Sequence, residues 1–243
     1  MEEKKDNVYA EPLSEIVDFK FDEKVANVFE DMLRRSIPGY AASITAIGLI
    51  AKRFFREGTN CYDLGSSLGA AALSLSKSLA GRKGKIYAID NSRDMIERSR
   101  EFIARNDGGM RVELVCADIS DVKIKNASIV VLNYTLQFIS PEKRETLLRN
   151  IYNGLTKGGV LIVSEKIKHE NAEEQEIMTE LYHDFKEYNG YSRMEISRKR
   201  DALENVLIPE TISRHKERAE RIGFEKFYLW YKYFTFVSYF LIK

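Results

Sequence analysis

The stretch that most constrains the fold runs from residue 60 to residue 166, where five short apolar runs alternate with helical patterns. The runs are NCYDL, KIYAID, RVELVCAD, SIVVLN and VLIVSE. Helices are predicted after the first two, at Leu68–Leu79 and Arg93–Arg105, and before the last, at Pro141–Leu155. Strands that alternate with helices build a mostly parallel sheet covered by helices on both faces. The runs are apolar on both sides, as a sheet buried on both faces requires.

The flanks extend this plan. Residues 1 to 24 read as extended and loosely held, with Phe19 and Phe21 as anchors. VANVFEDMLRRS, residues 25 to 36, has helical periodicity, and Pro38 suits the first turn of a second helix that continues through ITAIGLIAKRFF. After Lys166 the alternation stops. Helices are predicted from Ala172 to about Lys186 and, past a break at Asn189-Gly190, from Met194 to about Val206. A further helix opens at Pro209 and runs to about Ile222. FEKFYLWYKYFTFVSYFLIK then holds enough aromatic, β-prone residues for two strands. The expectation is one α/β domain made of an N-terminal extension (1–58), a core (59–166), a helical insertion with the last helix (167–222) and a terminal strand pair (223–243). This order of elements resembles the Rossmann-like fold of class I S-adenosylmethionine-dependent methyltransferases. That fold has a mostly parallel seven-stranded sheet with an antiparallel C-terminal pair, and here the helical insertion would form a lid.

The segment CYDLGSSLGAAALSLSK, residues 61 to 77, sets a glycine turn between the first strand and the first core helix. Ligands of open α/β sheets bind at the carboxyl ends of the strands. Gly65 and Gly69 let the backbone bend and approach a ligand closely. The spacing matches neither G-x-G-x-x-G nor a phosphate-binding P-loop, since no lysine follows Gly69. Asp90 ends the second run and suits the two hydroxyls of a ribose. Asp118 follows the third, placed to accept from an adenine amino group while the Ile119 N–H donates to the ring. Each aspartate alone reads as a strand-end or capping residue; in this order they favour an adenosine without a phosphate, such as S-adenosylmethionine. Asn133 ends the fourth run, on the side where a sulfonium would sit, and no N-P-P-Y pattern of amino methylases surrounds it.

Composition excludes several classes. A net charge of +1 gives no global field for nucleic acid or an anionic membrane. The basic stretch RHKERAER, residues 214 to 221, alternates with acids and reads as a solvated amphipathic helix. No apolar run reaches the length of a membrane span, and the charged start MEEKKDNVYA is unlike a signal peptide. Cys61 and Cys116 both fall in apolar runs and read as core thiols of a reducing cytoplasm. His169, His183 and His215 have no metal-ligand spacing, so no metal is expected. On these residues alone three readings stay open: an unusual transferase, a conventional methyltransferase acting on a small molecule or RNA, and a non-catalytic cofactor-binding protein.

Longer segments carry a more specific resemblance. FDEKVANVFEDMLRRSIPGY, DLGSSLGAA, AIDNSRDMIER, NASIVVLNYTLQF, SEK and YHDFKEYNGYSRMEISRKRDALENV resemble the carboxy-S-adenosyl-L-methionine synthase family, from about Phe19 to the end of the chain. The resemblance implies an enzyme that takes S-adenosylmethionine and prephenate and yields carboxy-S-adenosylmethionine and phenylpyruvate. The product is the carboxymethyl donor for tRNA wobble-uridine modification by a downstream tRNA carboxymethyltransferase. It also implies a homodimer with no direct contact to tRNA. The implied ligand contacts are Tyr40, Gly65, Ser66, Ser67, Asp90, Asn91, Asp118, Ile119, Asn133 and Arg200. Arg200 is expected to bind the transferred carboxylate, since a guanidinium fork matches a carboxylate bidentately. Serine at position 66 is a departure, because the family usually has cysteine there.

Overall fold

The computed structural model describes residues 5–10, 19–105 and 109–243. Seven strands form one sheet: β1 (Thr59–Leu64), β2 (Gly84–Asp90), β3 (Val112–Cys116), β4 (Ala127–Asn133), β5 (Leu155–Lys166), β6 (Lys226–Tyr233) and β7 (Phe236–Ile242). Their order is β3-β2-β1-β4-β5-β7-β6. The first five pair in parallel, while β7 pairs antiparallel to both β5 and β6. This is the sheet expected from the alternation and the aromatic C-terminal stretch.

Side-chain alternation along β4 shows how the sheet is buried. Ile129 and Val131 pack with Ile47 and Ala51 of α2 (Tyr40–Phe54) and Leu75 of α3 (Ala70–Ser78). Val130 and Leu132 face the opposite way, toward Leu147 and Ile151 of α5 (Pro141–Gly154) and Ile222 of α8 (Ile212–Ile222). Helices α1 (Glu23–Ser36) and α4 (Arg93–Ala104) flank the N-terminal side, and α6 (Ala172–Tyr188) and α7 (Arg193–Leu203) form the insertion.

Helix starts follow their capping residues. The Ser192 and Glu195 side chains form a reciprocal capping box at α7, and Asp22 caps α1 by accepting from the Val25 N–H at 3.0 Å. Two prolines sit earlier than expected. Pro38 precedes Gly39, whose left-handed backbone (φ 62°) starts α2, and Pro209 lies before Thr211, the cap of α8. A short 3₁₀ turn at Leu136–Phe138 has no signature in the sequence.

Three further expectations need correction. Cys61 is a buried core thiol, but Cys116 is exposed, because β3 is an edge strand. The N-terminal segment is anchored more firmly than expected where it is described, although residues 1–4 and 11–18 lie outside the described residues. Asp6 is only 2% exposed; its N–H donates to Asp31 at 2.7 Å and its carboxylate accepts from the Tyr191 hydroxyl. Phe19 is buried and packs edge-to-face on Phe21, as expected. The basic stretch in α8 is amphipathic, yet Arg218 and His215 point inward.

Arg218 belongs to a buried ionic cluster. Arg144 of α5 is fully buried and donates to Glu210 at 2.6 Å, and Arg218 of α8 donates to the same carboxylate at 2.6 and 2.7 Å. Arg144 also donates to the carbonyls of Ile139 and Ile208, at 2.8 and 2.7 Å. Burial works against the Glu210 charge, but the two guanidinium groups outweigh it and bring its pKa down to about 2. A depressed carboxylate stabilises the fold fully above its unfolded pKa of about 4.5, and this contribution is lost as pH falls toward 2. Replacing Glu210 with alanine leaves two buried guanidinium groups uncompensated and is expected to cost about 3–5 kcal/mol at pH 7. Denaturant unfolding of wild type and Glu210→Ala at pH 7 and pH 3 checks this: the gap between them should shrink in acid.

Candidate active site

The carboxyl ends of the parallel strands open into a cavity of about 580 Å³. It lies beside the point where the strand order reverses between β1 and β4, the position at which open α/β sheets hold ligands. Strand register aligns its floor: Leu64 is level with Ile89, Asp90 with Cys116, and Asn133 with Ser164. The turn after β1, the ends of β2 and β4, the first residues of α2 and the insertion all contribute to the walls.

The glycine turn is built for close approach and not for phosphate. Gly65 has a φ of +76°, and a Cβ there would come within 2.4 Å of Thr135. Thr135 in turn donates its hydroxyl to the Leu64 carbonyl at 2.9 Å. A phosphate cradle needs backbone N–H groups that point at the ligand. Here the N–H groups of Gly65 and Ser66 both donate to the Ile89 carbonyl, at 2.8 and 2.9 Å. The Ser67 N–H donates to Asp90 at 2.8 Å. All three are spent within the protein, in keeping with the rejection of a P-loop.

Ser67 and Tyr134 both hold left-handed backbones, at φ 47° and φ 59°. Such conformations cost about 1–3 kcal/mol each in non-glycine residues and cluster at functional sites. They turn the chain at the ends of the two strands that flank the reversal point.

All ten expected contacts line this one cavity: Tyr40, Gly65, Ser66, Ser67, Asp90, Asn91, Asp118, Ile119, Asn133 and Arg200. Asp90 is buried, and the N–H groups of Ser67 and Ser92 hold one oxygen each, at 2.8 and 2.9 Å. Its carboxyl is raised by burial, which those two donors oppose. A carboxylate offers about four lone-pair sites, so acceptor capacity remains for a ligand. Asp118 is exposed at the cavity edge and Ile119 is buried. Burial drives the Tyr40 hydroxyl well above its ordinary range, Asp63 adds to this, and a hydrogen bond from the Asn133 side chain opposes it. Arg200 lines the cavity from α7, yet its side chain is 63% exposed and it pairs with Asp201 at 3.1 Å.

Four buried polar atoms on the cavity wall have no hydrogen-bond partner among the described residues: Asp63 Oδ1, Ser66 Oγ, Asn133 Oδ1 and the Tyr134 hydroxyl. Buried polar atoms are rarely left unsatisfied in a folded protein, so each marks a place for a ligand or ordered water. Asp63, which lies within the run NCYDL, is a site residue that reading the sequence misses. Its Oδ2 accepts the Ala72 N–H at 2.9 Å, which ties it to α3. The signal was available, as an acid directly before the glycine turn.

No group of three or more histidine, cysteine or acidic side chains among the described residues is arranged to hold a metal ion. No helix among them is long and apolar enough to cross a membrane.

Comparison with known proteins places this geometry. A family profile described as a methyltransferase domain matches residues 62–159. A putative S-adenosyl-L-methionine-dependent methyltransferase from Methanococcus maripaludis superposes with a TM-score of 0.60 at 22% identity, over 96% of this chain and 97% of that one. Human N-acetylserotonin methyltransferase, solved with S-adenosylmethionine bound, gives 0.60 at 14% identity over 91% of this chain and 55% of that one. At such identities the likeness defines the class, a Rossmann-like methyltransferase fold. Relatives by sequence are more particular. The carboxy-S-adenosyl-L-methionine synthase of Geobacter sp. (strain M21) is 52% identical over 239 residues, 98% of each chain. That of Shewanella halifaxensis is 50% identical over 238 residues, again 98% of each. The chain belongs to the carboxy-S-adenosyl-L-methionine synthase family, as the quoted segments led us to expect.

Burial raises the pKa of Asp63 from 3.8 to about 7, with Asp90 adding to the effect and the Ala72 N–H opposing it. A carboxyl that binds its proton more tightly when folded costs the fold stability as pH rises from about 3.8 to about 7. Asp63→Asn keeps the acceptor for Ala72 and removes the charge. Ligand-free wild type and variant, compared by denaturant unfolding, should be similar at pH 4 and diverge toward pH 8, with the variant the more stable.

Proposed function

We propose that this protein converts S-adenosyl-L-methionine and prephenate to carboxy-S-adenosyl-L-methionine and phenylpyruvate. The single observation that carries this reading is full-length identity of about half to enzymes named carboxy-S-adenosyl-L-methionine synthase. The wall of the cavity supports it. Asp90 takes the ribose hydroxyls, Asp118 and the Ile119 N–H take the adenine edge, and the turn at Gly65–Ser67 lies against the methionine portion. Asp63 Oδ1, orphaned and buried, is the acceptor for the methionine ammonium. Tyr40 and Asn133 sit on the sulfonium side, and Arg200 receives the new carboxylate.

The chemistry asks little of the protein in acid–base terms. Prephenate aromatises by losing carbon dioxide and its ring hydroxide. The hydroxide takes a proton from the sulfonium methyl to give water and an ylide, and the ylide carbon bonds to the carbon dioxide. Atoms and charge balance without a protein base. Water must be excluded so that carbon dioxide and the ylide meet first. An insertion that folds over the cavity suits that task, with Tyr182 and Phe236 packed edge-to-face at 5.0 Å in its roof. We further propose a homodimer whose product passes to a tRNA carboxymethyltransferase, with no direct nucleic-acid contact by this chain.

Mass spectrometry of the small molecule released from the purified protein tests the reading. A species heavier than S-adenosylmethionine by one carbon dioxide, formed on adding prephenate, is expected. Release of S-adenosylhomocysteine, with no turnover of prephenate, would instead favour a conventional methyltransferase. Arg200→Ala is expected to abolish the carboxylated product and leave S-adenosylmethionine binding within about twofold, as measured by calorimetry.

A further inference from the structure

The charges around the cavity are unevenly spread, with Glu30 on α1 and Glu204 at the end of α7 lining it besides those that follow. Asp63, Asp90 and Asp118 stand at the ends of β1 to β3, while Lys166, Lys186 and Arg200 stand at the end of β5 and on the insertion. Two of these cations are unusual. Lys186 is 5% exposed and, like Lys166, has no carboxylate and no hydrogen-bond acceptor for its ammonium group among the described residues. Both ammonium groups lie over the ring of Tyr182 instead, at 5.0 Å for Lys166 and 4.4 Å for Lys186. The neighbouring Lys199 shows the contrast, since it reaches Ser36 at 3.1 Å and Asp6 at 3.6 Å.

A buried ammonium without a counter-charge is costly to the fold. An aromatic face offsets only part of that cost. Burial pushes Lys166 down to about 8. Burial together with the charges of Lys166, Lys199 and Arg200 pushes Lys186 down to about 7. Among the described residues no acidic group pulls either back up, which leaves both ammonium groups open to an anionic ligand.

We infer that Lys166 and Lys186, held on Tyr182, form a binding site for the two carboxylates of a dianionic co-substrate, separate from the Arg200 position. The inference rests on the proposed function for the identity of that dianion, prephenate, and deepens it by naming what holds it. Two cations that share one ring are within reach of one dicarboxylate. The backbone geometry fixes one of them: the Lys166 N–H donates to Gln137 Oε1 at 2.8 Å, at the end of β5. The other rides on α6. A dianion bound between them would therefore draw the insertion toward the sheet and neutralise the basic end of the cavity before a sulfonium is asked to react there. The lysines are substrate-binding residues and take no proton in the reaction.

The test uses Lys166→Met and Lys186→Met in the full chain. In turnover assays each should raise the KM for prephenate about ten- to a hundredfold, equivalent to about 1.4–2.8 kcal/mol, with S-adenosylmethionine affinity unchanged within twofold. Neither should lower the thermal midpoint, because each removes an unpaired charge from the cavity wall; a merely structural role predicts a lower midpoint with an unchanged KM, and that result overturns the inference. Calorimetry with 2-phenylsuccinate, a dianion that cannot aromatise, and phenylacetate, its monoanionic control, separates the two readings. Wild type should prefer the dianion at least tenfold and both variants should lose the preference. If wild type fails to turn over prephenate but shows this lysine-dependent preference, the proposed function falls and the dianion site stands. If it turns over prephenate and the variants match it in KM, the site falls and the function stands.

Discussion

The Arg144 side chain is the interaction on which the rest of the structure depends. It is fully buried, and its guanidinium touches Glu210 and the carbonyls of Gln137, Ile139 and Ile208. These groups come from the turn after β4 and from the segment that leads out of the insertion into α8. One planar fork therefore sets the distance between the floor of the cavity and its covering. Gln137 carries the constraint one step further, since its own side chain accepts the N–H of Lys166. The three-residue 3₁₀ turn and its cap present two of these carbonyls, those of Gln137 and Ile139, to the guanidinium.

Around that fixed point the cavity is a gradient of charge. In the proposed function its acidic end takes an adenosine and an ammonium, and its basic end takes carboxylates. Among the described residues neither end is neutralised, as the orphaned oxygen of Asp63 and the unpaired ammonium groups of Lys166 and Lys186 show. The protein has kept charge in a place where it weakens the fold, and the ligands complete it. Stability and binding are then linked: what occupies the site also relieves the strain of its burial.

Much of this was legible in the sequence, for identifiable reasons. The five parallel strands announced themselves because apolar runs of that length, interleaved with helical periods, have few other solutions. Asp90, Asp118 and Asn133 could be placed because a strand end is a position that length and pattern define. What stayed hidden was long-range. Nothing local to Asp6 marks it as the partner of Asp31 and Tyr191, so the N-terminal segment read as loose. Cys116 sits in an apolar run, and only the order of strands in the sheet reveals that its strand is an edge. Lys166 and Lys186 lie twenty residues apart on different elements, and as sequence they are two ordinary lysines. Arg218 looked like one more charge on a solvated helix until Glu210 was seen beneath it.

The position of the terminal hairpin has a consequence for how the molecule is made. Strand β7 lies between β5 and β6, and β6 reaches back so that the Tyr231 hydroxyl donates to the Pro38 carbonyl at 2.6 Å, beside Gly39 and Tyr40. Strands β1 to β3, which carry the acids of the cavity, leave the ribosome before this hairpin. A nascent chain can thus assemble the acid-bearing half of the cavity while its roof is still missing. Closure of the cavity, and with it the exclusion of water, waits for translation to reach the hairpin, so partial chains would carry an open shelf that holds a ligand without protecting it.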